Sequence, residues 1–243
     1  PYKFVDHTHS VALLSLANQP NASEICKEIF GNRLVIVPYV MPGFDLALAA
    51  NKYFLEAEDK SNKNNIPLEG MILLNHGLFT FGENAKESYD RMISIVQESE
   101  KVINRKIELD FSISNFENIL DSTKIKILSY LRGLITQKSQ KYGFHEKWII
   151  DLRSSKKILD FLENENISDL SNRGVATPDH VIRTKAKPLV LDKVQSVQSE
   201  ICLDSLEEWV TKSSNQLEKY IEDYLSYFDS NNLRVGNSKT QLD

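Results

Sequence analysis

The sequence predicts an α/β domain, because strand-like and helix-like segments alternate through its first hundred or so residues. Two short apolar runs carry that pattern most clearly: Arg33 to Pro38, rich in β-branched residues, and Gly70 to Leu74, which stops at the polar pair Asn75-His76 followed by Gly77. A chain of 243 residues can bury a sizeable core, and we expect one domain with a helix-rich extension.

The first segment, Lys3 to His9, is expected as a strand. Residues two apart on a strand share a face, so His7 and His9 would present two imidazoles side by side. Ser10 can cap a helix through Ala17, with Val11, Leu13, Leu14 and Leu16 as its apolar surface, until Asn18-Gln19-Pro20-Asn21 breaks it. Ser23 to Phe30 reads as an amphipathic helix stopped by Gly31, and Arg33 to Pro38 as a strand. Asp45 to Glu58 is helical by its Leu and Ala content, and Asp59 to Pro67 reads as a polar surface loop. Gly70 to Phe81 predicts a strand, a turn at His76-Gly77 and a second short strand that Gly82 closes. Asn84 then caps a long helix to about Lys101, with Ala85, Tyr89, Met92, Ile93 and Val96 as its core stripe.

From Asp110 the texture shifts. Ser122 to Gln137 and Ser154 to Leu162 are expected as amphipathic helices, Ser154 capping the second, with a strand at Lys147 to Leu152 between them. Ile167 to Asn172 is a short helical turn ending near Gly174, and Asp204 to Phe228 is a long, acidic, Tyr-rich helix. Thr177 to Leu191 is expected as extended, which puts Val181, Arg183, Lys185 and Lys187 on one face and His180, Ile182 and Thr184 on the other. That basic face suits a phosphate-like anion. It also suits a strand edge that lysines protect from pairing. His145 reads as structural.

With a net charge of −5 and no long basic run, the sequence does not suggest a nucleic-acid partner, and none is expected. Cys26 and Cys202 lie too far apart to suggest a disulfide framework or a thiolate zinc site, so a reducing compartment is expected. No apolar run approaches the roughly 18 residues a membrane span needs, and no signal-like segment opens the chain. A soluble cytoplasmic protein with no membrane partner is the expectation.

His76 sits at the end of a predicted strand. Three neutral imidazoles, with a fourth position left for water or substrate, make up a common catalytic zinc site. Spacing alone leaves open that His-x-His arises by chance and that His76 is a capped core histidine.

Asp6-His7-Thr8-His9-Ser10, then Val37-Pro38-Tyr39-Val40-Met41-Pro42-Gly43, then Leu73-Leu74-Asn75-His76-Gly77-Leu78-Phe79-Thr80-Phe81-Gly82 follow the order and approximate spacing of the class II aldolase/adducin family. The chain resembles that family over about residues 1 to 105. Residues 145 to 190, with Ser171-Asn172-Arg173-Gly174-Val175-Ala176-Thr177-Pro178-Asp179-His180-Val181-Ile182-Arg183-Thr184-Lys185, resemble the aldolase portion of bifunctional aldolase/short-chain dehydrogenase proteins, which are associated with rhamnulose 1-phosphate cleavage. The resemblance implies a layered α/β/α domain with a central sheet flanked by helices. Residues 1 to 110 would form the metal-binding core, and residues 111 to 243 a helix-rich continuation that holds the signature segment 171 to 191.

The resemblance further implies Zn2+, or another divalent metal, on His7, His9 and His76. It implies cleavage of a ketose 1-phosphate between C3 and C4 to dihydroxyacetone phosphate and a short aldehyde. Tyr39 would act at the aldehyde oxygen in a neighbouring subunit's site, hence a homo-oligomer, expected as a tetramer; here Met41-Pro42-Gly43 replaces a smaller, more polar run. His180, Arg183 and Lys185 are candidates for binding the sugar phosphate, His180 also as an outer or additional metal-site residue. A fused dehydrogenase domain would lie outside this chain. Sugar-phosphate epimerases and dehydratases with the same metal triad are the rival enzyme reading. A non-catalytic module like the adducin head is the other, against which the three histidines argue. Related aldolases place a carboxylate base and a phosphate-holding loop upstream of the His-x-His strand, and Asp6 faces away from His7 and does not replace that base. The chain starts at Pro1 and stops at Asp243 without an obvious finished element, so it reads as truncated at both ends, a metal-binding but poorly active piece.

Overall fold

The structure, a computed structural model, describes residues 2–106, 121–194 and 203–234. The elements run β1 (Phe4–Thr8), α1 (Val11–Ala17), α2 (Ala22–Phe30), β2 (Leu34–Val37), α3 (Phe44–Asn64), β3 (Gly70–Leu73), β4 (Gly77–Gly82), α4 (Ala85–Lys106), α5 (Asp121–Lys141), α6 (Lys156–Leu162), α7 (Ile167–Asn172), α8 (Pro178–Arg183) and α9 (Leu203–Arg234). By their contacts they form two units: Pro1–Asp110 with Arg173–Lys187, and Phe111–Asn172 with Pro188–Asp243.

The first unit is built on a mixed four-stranded sheet of order β1-β4-β3-β2. β4 is antiparallel to both its neighbours, whereas β2 and β3 are parallel and joined through α3, the crossover that parallel strands require. Alternation along the strands fills both faces. Leu34, Ile72 and Leu78 pack with α1, α2 and α4 through Leu13, Leu14, Cys26, Phe30, Met92 and Ile95. Val35, Val37, Met71, Leu73 and Phe81 pack on the other side with Leu46 and with half-buried Tyr53 and Phe54 of α3. The layered α/β/α arrangement follows directly from this period of two. Fully burying one such side chain stabilises by about 1.5–3 kcal/mol.

Polar contacts tie the helices to the sheet. Thr80 is fully buried and donates its hydroxyl to the Ser88 carbonyl at 2.9 Å, while Ser88 Oγ donates to the Thr80 carbonyl at 3.2 Å. Arg33 bridges Glu69 at 3.0 Å and Glu98 at 2.7 Å. The Asn84 side chain accepts the Glu87 N–H at 3.0 Å, so it caps α4 as the sequence suggests.

Several expectations are corrected. α3 runs through the polar stretch to Asn64 and ends where Asn65 takes a left-handed conformation, φ 54°. Its last turns are solvated rather than irregular, and the Asp59–Lys63 pair at 3.6 Å sits at the spacing that supports a helix. On α4 the buried side chains are Ser88, Met92, Ile95 and Ser99, while Tyr89 and Ile93 are exposed; small serines let the helix approach the sheet. Thr177 to Leu191 is not a continuous extended segment. Pro178 occupies the start of α8 after Thr177, where its fixed φ suits a helix and its missing N–H is not needed. The strand-face grouping of Arg183 with Lys185 and Lys187 therefore does not hold; on α8, Arg183 lies beside Asp179, Nε to Oδ1 3.7 Å.

In the second unit the Lys138 and Lys141 ammoniums of α5 both bond the Glu218 carboxylate of α9. Trp209 donates its indole N–H to the Asp192 carbonyl at 2.7 Å. The expected strand at Lys147 to Leu152 does not form, and Ile149 is 94% exposed. α6 is capped by Ser155, not Ser154: its Oγ accepts the Ile158 N–H at 3.3 Å. α9 extends beyond the expected Asp204 to Phe228 at both ends. Cys202 lies outside the described residues. Among those residues no helix is long and apolar enough to cross a membrane.

Candidate metal centre

His7 is opposite Phe79 in the β1–β4 ladder, and His9 follows just beyond the end of β1. Between β3 and β4, a tight turn is closed by the His76 N–H donating to the Leu73 carbonyl at 3.1 Å. Asn75 supplies the turn's left-handed residue, φ 58°, a conformation that Gly and Asn tolerate best. Gly77 is needed for a different reason. A Cβ there would lie 2.7 Å from the Thr8 carbonyl and 2.8 Å from both His7 Cε1 and His9 Cδ2, so the absent side chain lets β4 run under the two rings.

The turn brings His76 to the other two histidines. One ring nitrogen from each of His7, His9 and His76 lies within 4.8 Å of the others, and the ring centroids are 4.7 to 5.4 Å apart. His7 also stacks on Phe79, centroid separation 4.1 Å. Backbone and carboxylate partners decide which nitrogens are left for a ligand. The Leu78 carbonyl lies 2.9 Å from His7 Nδ1, and an Asp179 carboxylate oxygen 2.6 Å from His9 Nδ1. Each is an acceptor, so each ring carries its proton on Nδ1 and turns the Nε2 lone pair inward. Those two Nε2 atoms are 3.0 Å apart. Facing lone pairs at that separation repel unless a proton or a cation lies between them.

Zinc with Zn–N bonds of about 2.0–2.1 Å sets neighbouring tetrahedral ligands about 3.3 Å apart, so this edge has the right size. Nδ1 of His76 is buried with no hydrogen-bond partner among the described residues, which leaves that ring with donor capacity to spend. Burial, followed by the charge of neighbouring histidines, pushes the His76 pKa down. Burial likewise lowers that of His7, against the opposing Leu78 hydrogen bond. Both effects favour the neutral imidazole that a metal requires. The residues present fit a divalent ion held by three histidines.

The other candidates lie elsewhere. Tyr39 stands in the loop after β2 with its side chain 58% exposed. His180 is on α8, its Nδ1 2.7 Å from Thr177 Oγ1, and it is not a member of the three-histidine cluster. Arg183 is exposed beside Asp179. Sequence reasoning missed Asp179 and the Leu78 carbonyl. The Thr-Pro-Asp order at a helix start was the available signal for Asp179, since it marks where a side chain is fixed.

A model of the class II aldolase and adducin N-terminal domain matches residues 1–101, and a model of the second domain of class II aldolases matches residues 122–243. The protein called Uncharacterized oxidoreductase YuxG of Bacillus subtilis (strain 168) is 32% identical over 237 residues, covering 95% of this chain and 31% of that protein. The chain thus spans about a third of the length of that relative. The solved N-terminal class II aldolase domain of a conserved protein from Thermoplasma acidophilum is 41% identical, covers 42% of this chain and 43% of that one, and superposes with a TM-score of 0.33. With both family domains matched in order along its length, this chain belongs to the class II aldolase/adducin family.

Proposed function

We propose that the chain carries the metal centre of a zinc-dependent aldolase, which splits a ketose 1-phosphate of the rhamnulose 1-phosphate type into dihydroxyacetone phosphate and an aldehyde. The observation that supports it is the convergence of His7, His9 and His76 in a class II aldolase chain. A divalent ion there supplies Lewis-acid polarisation of the ketose carbonyl and its neighbouring hydroxyl. His7 and His9 are held in one tautomer by Leu78 and Asp179, and Phe79 shields one face of the His7 ring.

In the reaction the C3–C4 bond breaks, the C4 hydroxyl loses its proton as the aldehyde forms, and C3 gains a proton to complete dihydroxyacetone phosphate. Tyr39 is our candidate for the proton at the aldehyde oxygen, acting in a neighbouring copy's site. Its exposure, and that of Met41, Phe44 and Leu48 near it in sequence, supports a homo-oligomer, a tetramer in our reading. Arg183 and Lys185, with His180, are our candidates for the substrate phosphate, arginine being suited to bidentate contacts. The match to part of a longer protein named an oxidoreductase favours a fused dehydrogenase domain as partner. We place the reaction in cytoplasmic sugar breakdown, where a buried Cys26 thiol, pushed up to about 11 by burial, stays inert.

The test is metal analysis after purification without chelators, coupled to product analysis on rhamnulose 1-phosphate. Stoichiometric zinc and cleavage into two fragments, both lost in His76→Ala, are expected. An epimer or a dehydrated sugar as the product overturns the aldolase reading in favour of the epimerases and dehydratases of the same fold. A chain that binds no zinc overturns the metal centre itself.

A further inference from the structure

Asp179 is separated from His9 by 170 positions, yet its carboxylate makes the one charged contact that the structure gives the histidine cluster among the described residues. Oδ2 accepts the His9 Nδ1–H at 2.6 Å, and Oδ1 lies 3.7 Å from Arg183 Nε. The carboxylate sits on the first turn of α8, and that turn is anchored. Thr177 is buried, with 4% exposure, and its hydroxyl meets His180 Nδ1 at 2.7 Å. One residue earlier, the Ala176 carbonyl accepts the Asn18 side-chain N–H at 2.8 Å, which ties the segment to the end of α1.

From this geometry we propose that Asp179 is the positioning carboxylate of the metal centre, and that through it the segment Arg173–Lys187 and the bound metal stabilise each other. The inference rests on the three-histidine metal reading and extends it. A carboxylate on the distal nitrogen of a ligating histidine fixes the tautomer, aims the ring and raises its basicity; loss of such a partner commonly weakens metal binding about 10–100-fold. Linkage requires the reverse effect: if docking of the segment tightens the metal, the metal must hold the segment in place.

The experiment is zinc affinity by competition with a chromogenic chelator, on the full chain and on Asp179→Asn, with thermal unfolding of both in metal-free and zinc-loaded forms. We expect about 10–100-fold weaker zinc binding in the variant. Its metal-free melting temperature should match wild type, and the zinc-dependent rise should shrink. A purely structural role would instead lower the metal-free melting temperature and leave zinc affinity in place, which overturns the proposal, as does affinity within twofold of wild type. Should the variant not fold, hydrogen exchange on the wild-type chain decides: zinc must slow the amides of 173–187, and unchanged exchange there overturns the proposal. Absence of zinc binding by the wild-type chain is a separate outcome, which overturns the metal centre and this inference together.

Discussion

Leu13, Leu14, Ile72, Leu78 and Ile95 of the first unit are all at 0% exposure, whereas the buried apolar side chains described in the second unit are Leu134, Leu206 and Trp209. The first unit packs two apolar layers on a sheet; in the second, Lys138 and Lys141 of α5 bond Glu218 of α9, and Lys193 pairs with Glu163 at 2.7 Å. The difference explains where the histidines are. A metal site needs ligands held to within about half an ångström, and a close-packed sheet with a tight turn gives that precision. A largely exposed pair such as Lys193 with Glu163 leaves its side chains freer to move.

Removing a ligand should test this contrast most severely. His9→Ala deletes one of three donors and should weaken zinc binding by more than ~100-fold, beyond what loss of an outer partner costs; isothermal titration reads it directly. Far-ultraviolet dichroism should show the second unit's helices unchanged. If the second unit unfolded with it, the two units would not be distinct.

Ile72→Ala should cost about 2–5 kcal/mol in denaturant unfolding, because the cavity opens in a layer with little room to relax. The matching change in the second unit, Ile149→Ala at a 94% exposed position, should stay within about ±0.5 kcal/mol. Equal losses at the two positions would break the comparison.

Gly77→Ala links packing to the metal. Its Cβ would meet the Thr8 carbonyl and both imidazoles, at an overpacking cost of about 1–3 kcal/mol. Zinc affinity should fall with it, as the chelator assay would show. An alanine variant with wild-type zinc affinity would mean the rings are not held as tightly as their contacts indicate.

Acid should affect the units in separate windows. His7 and His76 have pKa values lowered from an ordinary 6.5 in the folded chain, so the unfolded state protonates first as pH drops. Their contribution to the metal-free chain is present above 6.5 and declines as pH falls below it. Glu218 is lowered from 4.5 to about 2, chiefly by its hydrogen bonds to Lys138 and then Lys141. Its contribution is present above 4.5 and is lost as pH falls toward 2. Trp209 fluorescence should therefore show a change below pH 4.5 that Glu218→Gln removes, while the exchange of His7 and His76 peptides changes only as pH falls below 6.5. A single shared transition would contradict the assignment.

Much of the first unit is legible in the sequence because its signals are local. Short unbroken apolar runs, β-branched in the first, gave β2 and β3, and the strand spacing of His7 and His9 put both rings on one side of β1. The sequence placed the turn at His76-Gly77; the structure puts Gly77 in β4, where close approach requires it, and gives the left-handed position to Asn75. Errors came where one pattern serves two structures. Lys147 to Leu152 has the composition of a strand, but a strand needs a ladder partner, and among the described residues none pairs with it. The polar end of α3 has the composition of a loop, but solvated residues continue a helix that apolar residues upstream have already nucleated. Sequence by itself determined the α/β class, the three histidines and the helix limits near Gly31 and Asn84. Pairing of β1 with β4 decided that His76 would join the other two, and long-range packing of α8 decided that Asp179, not His180, would meet His9. Neither outcome is written in a local period: a side chain's neighbours across 170 positions depend on the summed packing of every element between them.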